Sequence, residues 1–437
     1  MKSPFYYPYQ FLFPLVCGLL CACQTGKRQA LASDITRSEI RLTDDGYRIF
    51  LNGEPVYIKG AGVDNGDLGA LAAHGANVVR TWSSENGKYV LDQAHELGLK
   101  VMMGLWVMPE RHGFDYDDEA AVKKQNERIR ETVMAYKDHP ALVAWLIGNE
   151  LNHEYTNPRV WEAVNDISKM IHELDPYHLT TTPLAGLDKP EVDWLKSKAP
   201  DLDFISAQLY GPIDQLPELI EATNYQGPLM VTEWGATGYW EVPETEWGAP
   251  IENNSSIKAD LYLSRYQNAI LSQSQQVMGS FVFLWGQKQE RTPTWFGMFM
   301  PEGNETESVD VMHYAWNGQW PENRSPKLLD FTLDGNTALD NVRLKSGESY
   351  QSSVSINDPD GDPLVYQWEI RQESRSTKSG GDKEYIPEVI EGLFSEGSGD
   401  IARFSAPKES GAYRLFIYVE DGKGHTAHAN IPFWVGP

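Results

Sequence analysis

The chain has 437 residues, enough for two or three domains with sizeable cores. Hydrophobic residues make up 41% and aromatic residues 11%, which is an ordinary composition for a globular protein. The formal net charge of -25 argues against nucleic acid as a partner, because phosphates would be repelled, and it disfavours polyanionic glycans, whereas neutral polymers are compatible.

The first 37 residues predict export followed by a tether. Lys2 precedes a short apolar run, which is typical of a secretion signal and too short for a stable transmembrane helix. The stretch Leu20-Cys21-Ala22-Cys23 resembles a bacterial lipobox, which implies cleavage before Cys23 and acylation of its thiol. We predict a lipoprotein signal peptide over residues 1–22, a tether over residues 23–37 and an anchor in the bacterial cell envelope, at the outer membrane or cell surface. The alternative is an ordinary signal peptide and a secreted protein.

From residue 38 to residue 325, strand and helix signals alternate with short links, as expected of βα units. A hairpin signal at Asn52-Gly53 predicts a lid across the bottom of a barrel. The predicted barrel strands are residues 55–60, 76–80, 100–105, 141–147, 179–182, 204–210, 229–233 and 277–285. The predicted helices are residues 68–74, 89–97, 119–137, 161–174 and 257–273. This order predicts the α/β class and a (β/α)8 TIM barrel.

Two long segments without regular periodicity follow the last two predicted strands. They cover residues 234–256 and 286–320, and both are rich in tryptophan. Long irregular loops in compact domains are commonly functional, so we expect both to rise above the catalytic face of the barrel.

Residues 326–437 show short strand signals separated by frequent turns. Alternating strands such as residues 365–370 and 413–419 predict an immunoglobulin-like β-sandwich without a disulfide, with Trp368 in its core. The carboxylates of Asp358-Pro-Asp-Gly-Asp362 are of the type that binds calcium, but the distal acidic residue of a full loop is missing, so we interpret the stretch as a turn. Such a domain either binds glycan or braces the barrel, and we favour bracing because no exposed strip of aromatic residues is readable in it.

Glutamates end two of the predicted strands. The apolar run 141–147 is followed by Gly148 and Asn149-Glu150, and strand seven ends in Glu233. In a TIM barrel the carboxyl ends of the strands surround the catalytic face, so both carboxylates are expected in one mouth. Glycoside cleavage needs such a pair, one acid to protonate the leaving oxygen and one carboxylate to attack or to activate water. The alternative interpretation is two strands with polar ends and no chemistry.

Asn149-Glu150 and Glu233 in these positions resemble the clan A glycoside hydrolases, (β/α)8 barrels that cleave β-glycosides with retention. The resemblance implies that Glu150 is the acid/base, Glu233 the nucleophile and Asn149 a ligand of the sugar 2-hydroxyl. It also implies that Tyr210, ending strand six, and Arg80, ending strand two, contact the nucleophile. A hydroxyl and a cation there would help to keep Glu233 ionised. The alternatives are edge packing for Tyr210 and a structural ion pair for Arg80.

By the same resemblance, Trp285, ending predicted strand eight, matches the aromatic platform under the sugar that precedes the cleaved bond; its alternative is core packing. Further tryptophans are candidates for lining a glycan groove: Trp82, Trp106, Trp234, Trp240 and Trp295. Gln208 is a further candidate substrate-binding residue, and it stands where several clan families have a histidine two positions before the tyrosine. This departure weakens an assignment to those families but leaves the chemistry unchanged.

The barrel also resembles the catalytic domain of β-galactosidases and β-glucuronidases, without their N-terminal sandwich domains. A barrel with a C-terminal immunoglobulin-like domain and a lipid anchor resembles glycoside hydrolase family 158, which implies an endo-β-1,3-glucanase acting on laminarin-type glucans. We therefore predict a monomeric retaining enzyme that acts on a β-linked polysaccharide or oligosaccharide, with no metal or organic cofactor. The alternatives are an exo-acting β-galactosidase or β-mannosidase and a transglycosylase. A non-catalytic surface glycan-binding lipoprotein is the alternative of a different class, and the presence of both glutamates argues against it.

Overall fold

The computed structural model describes residues 35–378 and 380–437. The predicted signal peptide, Cys23 and residues 23–34 of the predicted tether lie outside the described residues. Thr36 is buried, and its hydroxyl donates a hydrogen bond of 2.6 Å to the carbonyl of Pro140. The chain therefore packs against the barrel from this residue onwards.

The N-terminal part of the described chain alternates strands and helices. Its strands are β1 (Ser38–Thr43), β2 (Gly46–Leu51), β3 (Glu54–Val56), β4 (Ile58–Gly62), β5 (Val78–Arg80), β6 (Lys100–Leu105), β7 (Leu142–Ile147), β8 (Leu179–Thr181), β9 (Pro183–Ala185), β10 (Ile205–Gln208), β11 (Leu229–Gly235) and β12 (Val277–Phe283). Its helices are α1 (Leu68–Ala73), α2 (Gly87–Glu96), α3 (Glu119–Tyr136), α4 (Arg159–Leu174), α5 (Lys189–Lys198), α6 (Leu216–Thr223), α7 (Ser255–Ser264) and α8 (Glu307–Asn317). Within the described ranges, no helix has both the length and the hydropathy needed to cross a membrane.

Strands β4 to β12 form one parallel sheet in the order β8-β7-β6-β5-β4-β12-β11-β10-β9. Because β8 and β9 lie on either side of Thr182, they share the fifth strand position, and the nine segments fill eight positions around a barrel. Every residue of β7 is buried, as expected for a strand with helices outside it and a packed interior within. The predicted TIM barrel is confirmed.

The bottom of the barrel is closed by the antiparallel sheet of β1, β2 and β3, which is the predicted lid. The backbone amide of Tyr47 donates to the carbonyl of Gln275 at 2.8 Å, and the hydroxyl of Ser38 donates to the carbonyl of Val143 at 2.6 Å. Ile49 is fully buried in an apolar cluster with Ile58 and the other residues of the lower barrel interior. The hairpin thus completes the core at this end.

Three helices and several element ends differ from the sequence-based prediction. Helices α5, α6 and α8 were not predicted, β10 ends at Gln208 instead of residue 210, and β12 ends at Phe283 instead of residue 285. Helix α8 lies inside the segment 286–320 that was predicted to be irregular. Glu307 and Asp310 occupy its first turn, where carboxylates favour a helix, and Gly318 ends it with φ 75°. The long loop after β12 therefore covers residues 284–306.

The C-terminal domain consists of two four-stranded sheets around a separate core. Its strands are β13 (Lys327–Leu333), β14 (Arg343–Lys345), β15 (Ser349–Asn357), β16 (Val365–Gln372), β17 (Phe394–Glu396), β18 (Ile401–Ser405), β19 (Gly411–Glu420) and β20 (Thr426–Gly436). The sheet orders are β13-β15-β18-β17 and β14-β20-β19-β16, which is compatible with the immunoglobulin-like arrangement. That finer assignment stays a prediction. Trp368 is buried in this core, with its ring centroid 5.9 Å from that of Phe331.

The acidic stretch 358–362 is built as a turn. One carboxylate oxygen of Asp358 accepts the backbone amides of Asp360 at 3.0 Å and Asp362 at 2.8 Å. This side chain therefore stabilises a turn by accepting hydrogen bonds from the local backbone, in agreement with the interpretation of the stretch as a turn.

A buried polar network joins the two domains. Glu252, in the loop after β11, accepts hydrogen bonds from Lys258 of α7 at 2.5 Å and from the amide of Asn430 in β20 at 2.6 Å. Arg414 of β19 forms an ion pair with Glu373 at 2.8 Å and donates to the carbonyl of Pro250 at 2.8 Å. Since buried charges need such partners, the contact fixes the sandwich against the barrel.

Candidate active site

Glu150 follows the tip of β7 in an uncommon backbone conformation. Gly148 has φ 74°, and a Cβ atom there would lie 2.6 Å from a side-chain atom of Leu151. Glu150 itself has φ 49°, in the left-handed region that non-glycine residues rarely adopt, and its amide donates to the carbonyl of Pro183 at 3.0 Å. Such local strain is found preferentially at functional sites.

Glu233 lies inside β11 and is buried among three hydrogen-bond donors. Arg80 donates to its Oε2 atom at 2.7 Å, and the indole nitrogen of Trp82 donates to the same atom at 3.0 Å. The hydroxyl of Tyr210 donates to Oε1 at 2.6 Å. Donors of this kind stabilise the ionised carboxylate. The contacts implied for Arg80 and Tyr210 are present, and Trp82, predicted only as a groove residue, contacts the carboxylate directly.

Glu150 has the opposite electrostatic environment. Its side chain is partly exposed at the surface of the mouth, but burial of the carboxyl group in the barrel raises its pKa, and the negative charge of Glu233 raises it further. Arg80 and Arg111 act against this shift, and the resulting pKa is about 8. Glu150 is therefore mostly protonated at neutral pH, which is the state a general acid needs.

Gln208, at the end of β10, contacts Arg80 and two residues that follow β7, Asn149 and Glu150. With its amide nitrogen towards Glu150, that nitrogen lies 2.5 Å from the Oε1 atom of Glu150. The amide oxygen then lies 2.7 Å from the Nη2 atom of Arg80. With the amide turned the other way, its nitrogen donates to the side-chain oxygen of Asn149 at 2.7 Å, and Arg80 donates to the same oxygen at 2.6 Å. Asn149, Gln208 and Arg80 thus form one polar floor under the two carboxylates.

The aromatic residue at the tip of β12 is Phe283, which the sequence did not single out. Its ring centroid lies 5.6 Å from that of Trp82 and 6.0 Å from that of Tyr210. Trp285, the predicted platform, is fully buried, with its ring 5.1 Å from Phe299. A buried ring offers no face to a sugar, so the substrate-binding prediction for Trp285 is wrong and its core-packing alternative fits the structure. The error arose because the predicted strand was two residues too long.

Two further tryptophans proposed as groove residues are also core residues. Trp234 is fully buried with its ring stacked on Tyr266 at 6.1 Å, and Trp295 is 1% exposed with its indole donating to the carbonyl of Thr237. Trp234 thus packs β11 against the helical segment that carries Tyr262 and Tyr266, and Trp295 stabilises the loop after β11.

Three tryptophans do surround the mouth. Trp82 and Trp106 line the same cavity of about 460 Å³, and the ring of Trp106 stacks on His112 at 6.3 Å. Trp240 is 55% exposed, with its ring 5.5 Å from that of Tyr210. Exposed or half-buried rings in this position suit the apolar faces of sugars.

No cluster of metal-ligating side chains among the described residues includes Glu150 or Glu233. The cluster of Glu305, Asp310 and His425 lies where the barrel meets the sandwich. There, one oxygen of Asp310 already accepts the amide of Ser325 at 2.6 Å.

Comparisons with known proteins agree with this geometry at a coarse level. Residues 58–240, which include both glutamates, match the family described as glycosyl hydrolases family 2, TIM barrel domain. A probable mannan endo-1,4-beta-mannosidase C of Aspergillus terreus is 29% identical over 158 residues, which are 30% of this chain and 39% of that protein. These similarities support a clan A glycoside hydrolase barrel.

Solved structures with the same fold include two β-glucuronidases. Beta-glucuronidase 2 of Bacteroides uniformis, covalently bound to cyclophellitol-6-carboxylate aziridine, has a TM-score of 0.52 at 15% identity over 92% of this chain and 48% of that chain. The enzyme of Ruminococcus gnavus, in complex with a C6-substituted uronic isofagomine, has a TM-score of 0.51 at 19% identity over 65% of this chain and 53% of that chain. The chain thus spans about half the length of these relatives. Neither the family nor these proteins support family 158 or an endo-β-1,3-glucanase.

Proposed function

We propose that the chain is a retaining β-glycosidase in which Glu150 is the acid/base and Glu233 the nucleophile. The observation that carries the proposal is the opposite environment of the two carboxyl groups: burial and the charge of Glu233 raise the pKa of Glu150, whereas three donors hold Glu233. Glu150 gives its proton to the glycosidic oxygen while Glu233 attacks the anomeric carbon, so that the alcohol leaves and a glycosyl ester forms. Glu150 then takes a proton from water, which displaces Glu233 and releases the sugar.

We further propose exo-action, the alternative to the endo-β-1,3-glucanase prediction. The β-glucuronidases with the same fold support this alternative better than the glucanase. Loops after β6, β11 and β12 also carry contacts from the sandwich, which restrict the space around the mouth.

The charges at the mouth favour a neutral sugar. Among the described residues, the cations there each have an acidic partner: Arg80 with Glu233 at 2.7 Å, Arg111 with Asp382 at 3.5 Å, Lys288 with Glu290 at 3.1 Å and Arg291 with Glu384 at 3.5 Å. A uronate carboxylate would add a negative charge beside Glu150 and Glu233 without a free cation to balance it. We therefore propose a neutral β-hexoside of the galactoside or mannoside type as substrate.

A β-uronidase is the second candidate, and one observation favours it. The Nε atom of Arg111 is buried without a hydrogen-bond partner, although this arginine acts electrostatically on Glu150. A carboxylate on the substrate would satisfy that donor if Asp382 were displaced.

A panel of aryl β-glycosides separates these candidates. The galactoside, mannoside, glucoside, glucuronide and galacturonide of the same phenol are compared by kcat/KM, with Glu233→Gln as the inactive control. The proposal expects a neutral hexoside to be cleaved best, and NMR of the first sugar released should show the β-anomer. A preference for a uronide would favour the second candidate, the α-anomer would contradict retention, and cleavage of none would contradict the glycosidase itself. Transfer of the sugar to an added oligosaccharide in place of water would indicate a transglycosylase.

We also propose that Cys23 anchors the chain in the cell envelope. The support is the lipobox-like stretch that precedes it. In the full chain, Cys23→Ala should move the protein from the detergent phase to the aqueous phase on detergent partitioning, with Cys17→Ala as control. Partitioning that does not depend on Cys23 would contradict the anchor.

A further inference from the structure

The segment that joins β16 to β17 extends from the sandwich to the mouth of the barrel. We call residues 373–378 and 380–385 the bridging segment. It contacts three loops of the barrel, those that follow β6, β11 and β12. All three loops lie at the carboxyl ends of the strands, which is the face that carries Glu150 and Glu233.

The loop after β12 makes the closest contacts with the bridging segment. Lys288 donates to the carbonyl of Gly381 at 2.7 Å, and a Cβ atom at Gly381 would lie 2.8 Å from the same ammonium group. The backbone amide of Arg291 donates to the carboxylate of Glu384 at 2.8 Å, and its guanidinium donates to the carbonyl of Ser376. Glu384 is buried, so this contact is protected from water.

The other two loops hold the opposite sides of the segment. In the loop after β6, Arg111 and His112 both lie 3.5 Å from the carboxylate of Asp382. In the loop after β11, the hydroxyl of Tyr239 donates to the carbonyl of Lys378 at 3.2 Å. The bridging segment is therefore attached on several sides and does not hang free over the mouth.

Two chains of contacts connect the bridging segment with Trp82 and Tyr210, the residues that donate to Glu233. The ammonium group of Lys288 lies 5.9 Å from the ring centroid of Phe283, which touches Trp82 and Tyr210. The ring of Tyr239 lies 4.8 Å from that of Trp240, the exposed ring beside Tyr210.

We propose that the bridging segment is a wall of the substrate site and that the C-terminal domain thereby sets the length of glycan the barrel accepts. The wall closes one end of the groove, so that the chain end of a glycan enters and an internal linkage does not. This inference rests on the proposed glycosidase activity and adds to it a specificity element supplied by the other domain. Its substrate class is an oligosaccharide with an unsubstituted terminal sugar.

The test shortens the segment in the full chain. Residues 376–382 are replaced by Gly-Ser-Gly, and Arg375 and Tyr385, which form a hydrogen bond of 3.0 Å across the base of the segment, are kept. Glu373 and Glu384 are kept, since the former pairs with Arg414 and the latter holds Arg291. The substrates are the aryl β-glycoside that the wild type cleaves best and an oligosaccharide of the same sugar whose non-reducing end is blocked by a 4,6-benzylidene acetal.

The wild type should cleave the aryl glycoside and leave the blocked oligosaccharide intact. The shortened variant should keep kcat for the aryl glycoside within about threefold, raise its KM several-fold, and cleave the blocked oligosaccharide at least tenfold faster than the wild type. A second variant, Asp382→Arg, keeps the test usable if the shortened variant does not fold. Its new charge repels Arg111 and His112, so it should also raise KM for the aryl glycoside and speed cleavage of the blocked oligosaccharide, both by a smaller amount. The matched control is Lys383→Ala, because Lys383 is an exposed neighbour in the same segment and should behave as wild type.

The outcomes separate the two claims. A folded shortened variant with wild-type KM and no action on the blocked oligosaccharide would overturn the wall alone. A wild type that already cleaves the blocked oligosaccharide at rates comparable to the aryl glycoside would do the same. Absence of any β-glycoside cleavage by the wild type would overturn the proposed function and the wall together.

Discussion

The two ends of the barrel have opposite chemical environments, apolar at the bottom and polar at the top. At the bottom, Ile49 and its neighbours form a dry apolar cluster covered by a hairpin. At the top, Glu150 has a strained backbone and a carboxyl group whose pKa is raised to about 8, and Glu233 is surrounded by donors. The same eight strands thus provide stability at one end and chemistry at the other. Substitutions at the two ends should therefore change different quantities.

The largest effects are expected from the two glutamates. Glu233→Gln removes the nucleophile and should lower kcat by about four orders of magnitude or more, and Glu150→Ala should lower it by about two to four orders on a poor leaving group. Glu150→Ala should unfold at or above the wild-type temperature, whereas Glu233→Gln should unfold at a lower temperature because it leaves the buried Arg80 without its charged partner. Steady-state kinetics with calorimetry is the measurement. Near wild-type turnover in either variant would remove the basis for the assignment.

At the bottom of the barrel, Ile49→Ala should lower stability and leave activity nearly unchanged. It truncates a fully buried side chain and should reduce the free energy of unfolding by about 2–5 kcal/mol through lost burial and a residual cavity. At a temperature where the variant is folded, kcat and KM should remain within about twofold of the wild type. A large loss of kcat would show that the two ends are coupled.

Two tyrosine hydroxyls, one bonded near each end of β11, allow a matched pair of substitutions. Tyr210→Phe removes the 2.6 Å hydrogen bond to Glu233, a bond to a charged group worth about 1.5–3 kcal/mol, and should lower kcat/KM by about 10- to 150-fold. Tyr225→Phe removes a 3.1 Å bond to the carbonyl of Pro228, just before the start of the strand, and should leave kcat/KM unchanged. Equal losses in both variants would mean that the hydroxyl at Tyr210 has no specific role.

The pH dependence of kcat/KM should reveal the protonated acid. Because Glu150 must give up a proton in the first step, activity should fall about tenfold per pH unit above its pKa of about 8. With an aryl glycoside whose leaving group needs no protonation, kcat/KM of Glu150→Ala should no longer fall as the pH rises above 8. An unchanged fall in that variant would assign the titration to another group.

The smallest expected effect is a gain in stability from removing the acid. The pKa of Glu150 is raised in the folded chain, so between its unfolded value and about 8 the folded state holds a proton that the unfolded state has released. Stability therefore falls as pH rises through this window. Glu150→Gln should raise the melting temperature by on the order of a few °C at pH 8 and have no effect below pH 4.5. The opposite pH trend would contradict the raised pKa.

The sequence predicted the barrel well because its strands are short, apolar and buried on both faces. The run before Gly148 and the run ending in Glu233 could be recognised from residue type alone, and with them the two carboxylates. Arg80, the last residue of β5, and Tyr210, two residues after β10, followed from the resemblance to clan A enzymes. Helix α5 was missed because it is short and rich in charge, with only Val192 and Leu195 buried, so its apolar pattern is weak.

The missed parts of the mouth depend on contacts between distant segments. Trp285 and Phe283 are both aromatic and lie two residues apart, so only the true end of β12 decides which one faces the site. The indole of Trp82 reaches Glu233 across 151 positions of sequence, and Lys288 reaches Gly381 across 93. The local periodicity of a sequence cannot indicate contacts between residues so far apart in the chain.

The polar network around Glu252 also has a consequence for the order in which the protein is made. This carboxylate belongs to the barrel, but one of its partners, Asn430, is synthesised 178 residues later. Until the ribosome has added that residue, the buried carboxylate has only its donors from the barrel, among them Lys258 and Thr292. We therefore expect the loop after β11, which carries Tyr239 and Trp240 at the mouth, to gain stability when β20 emerges.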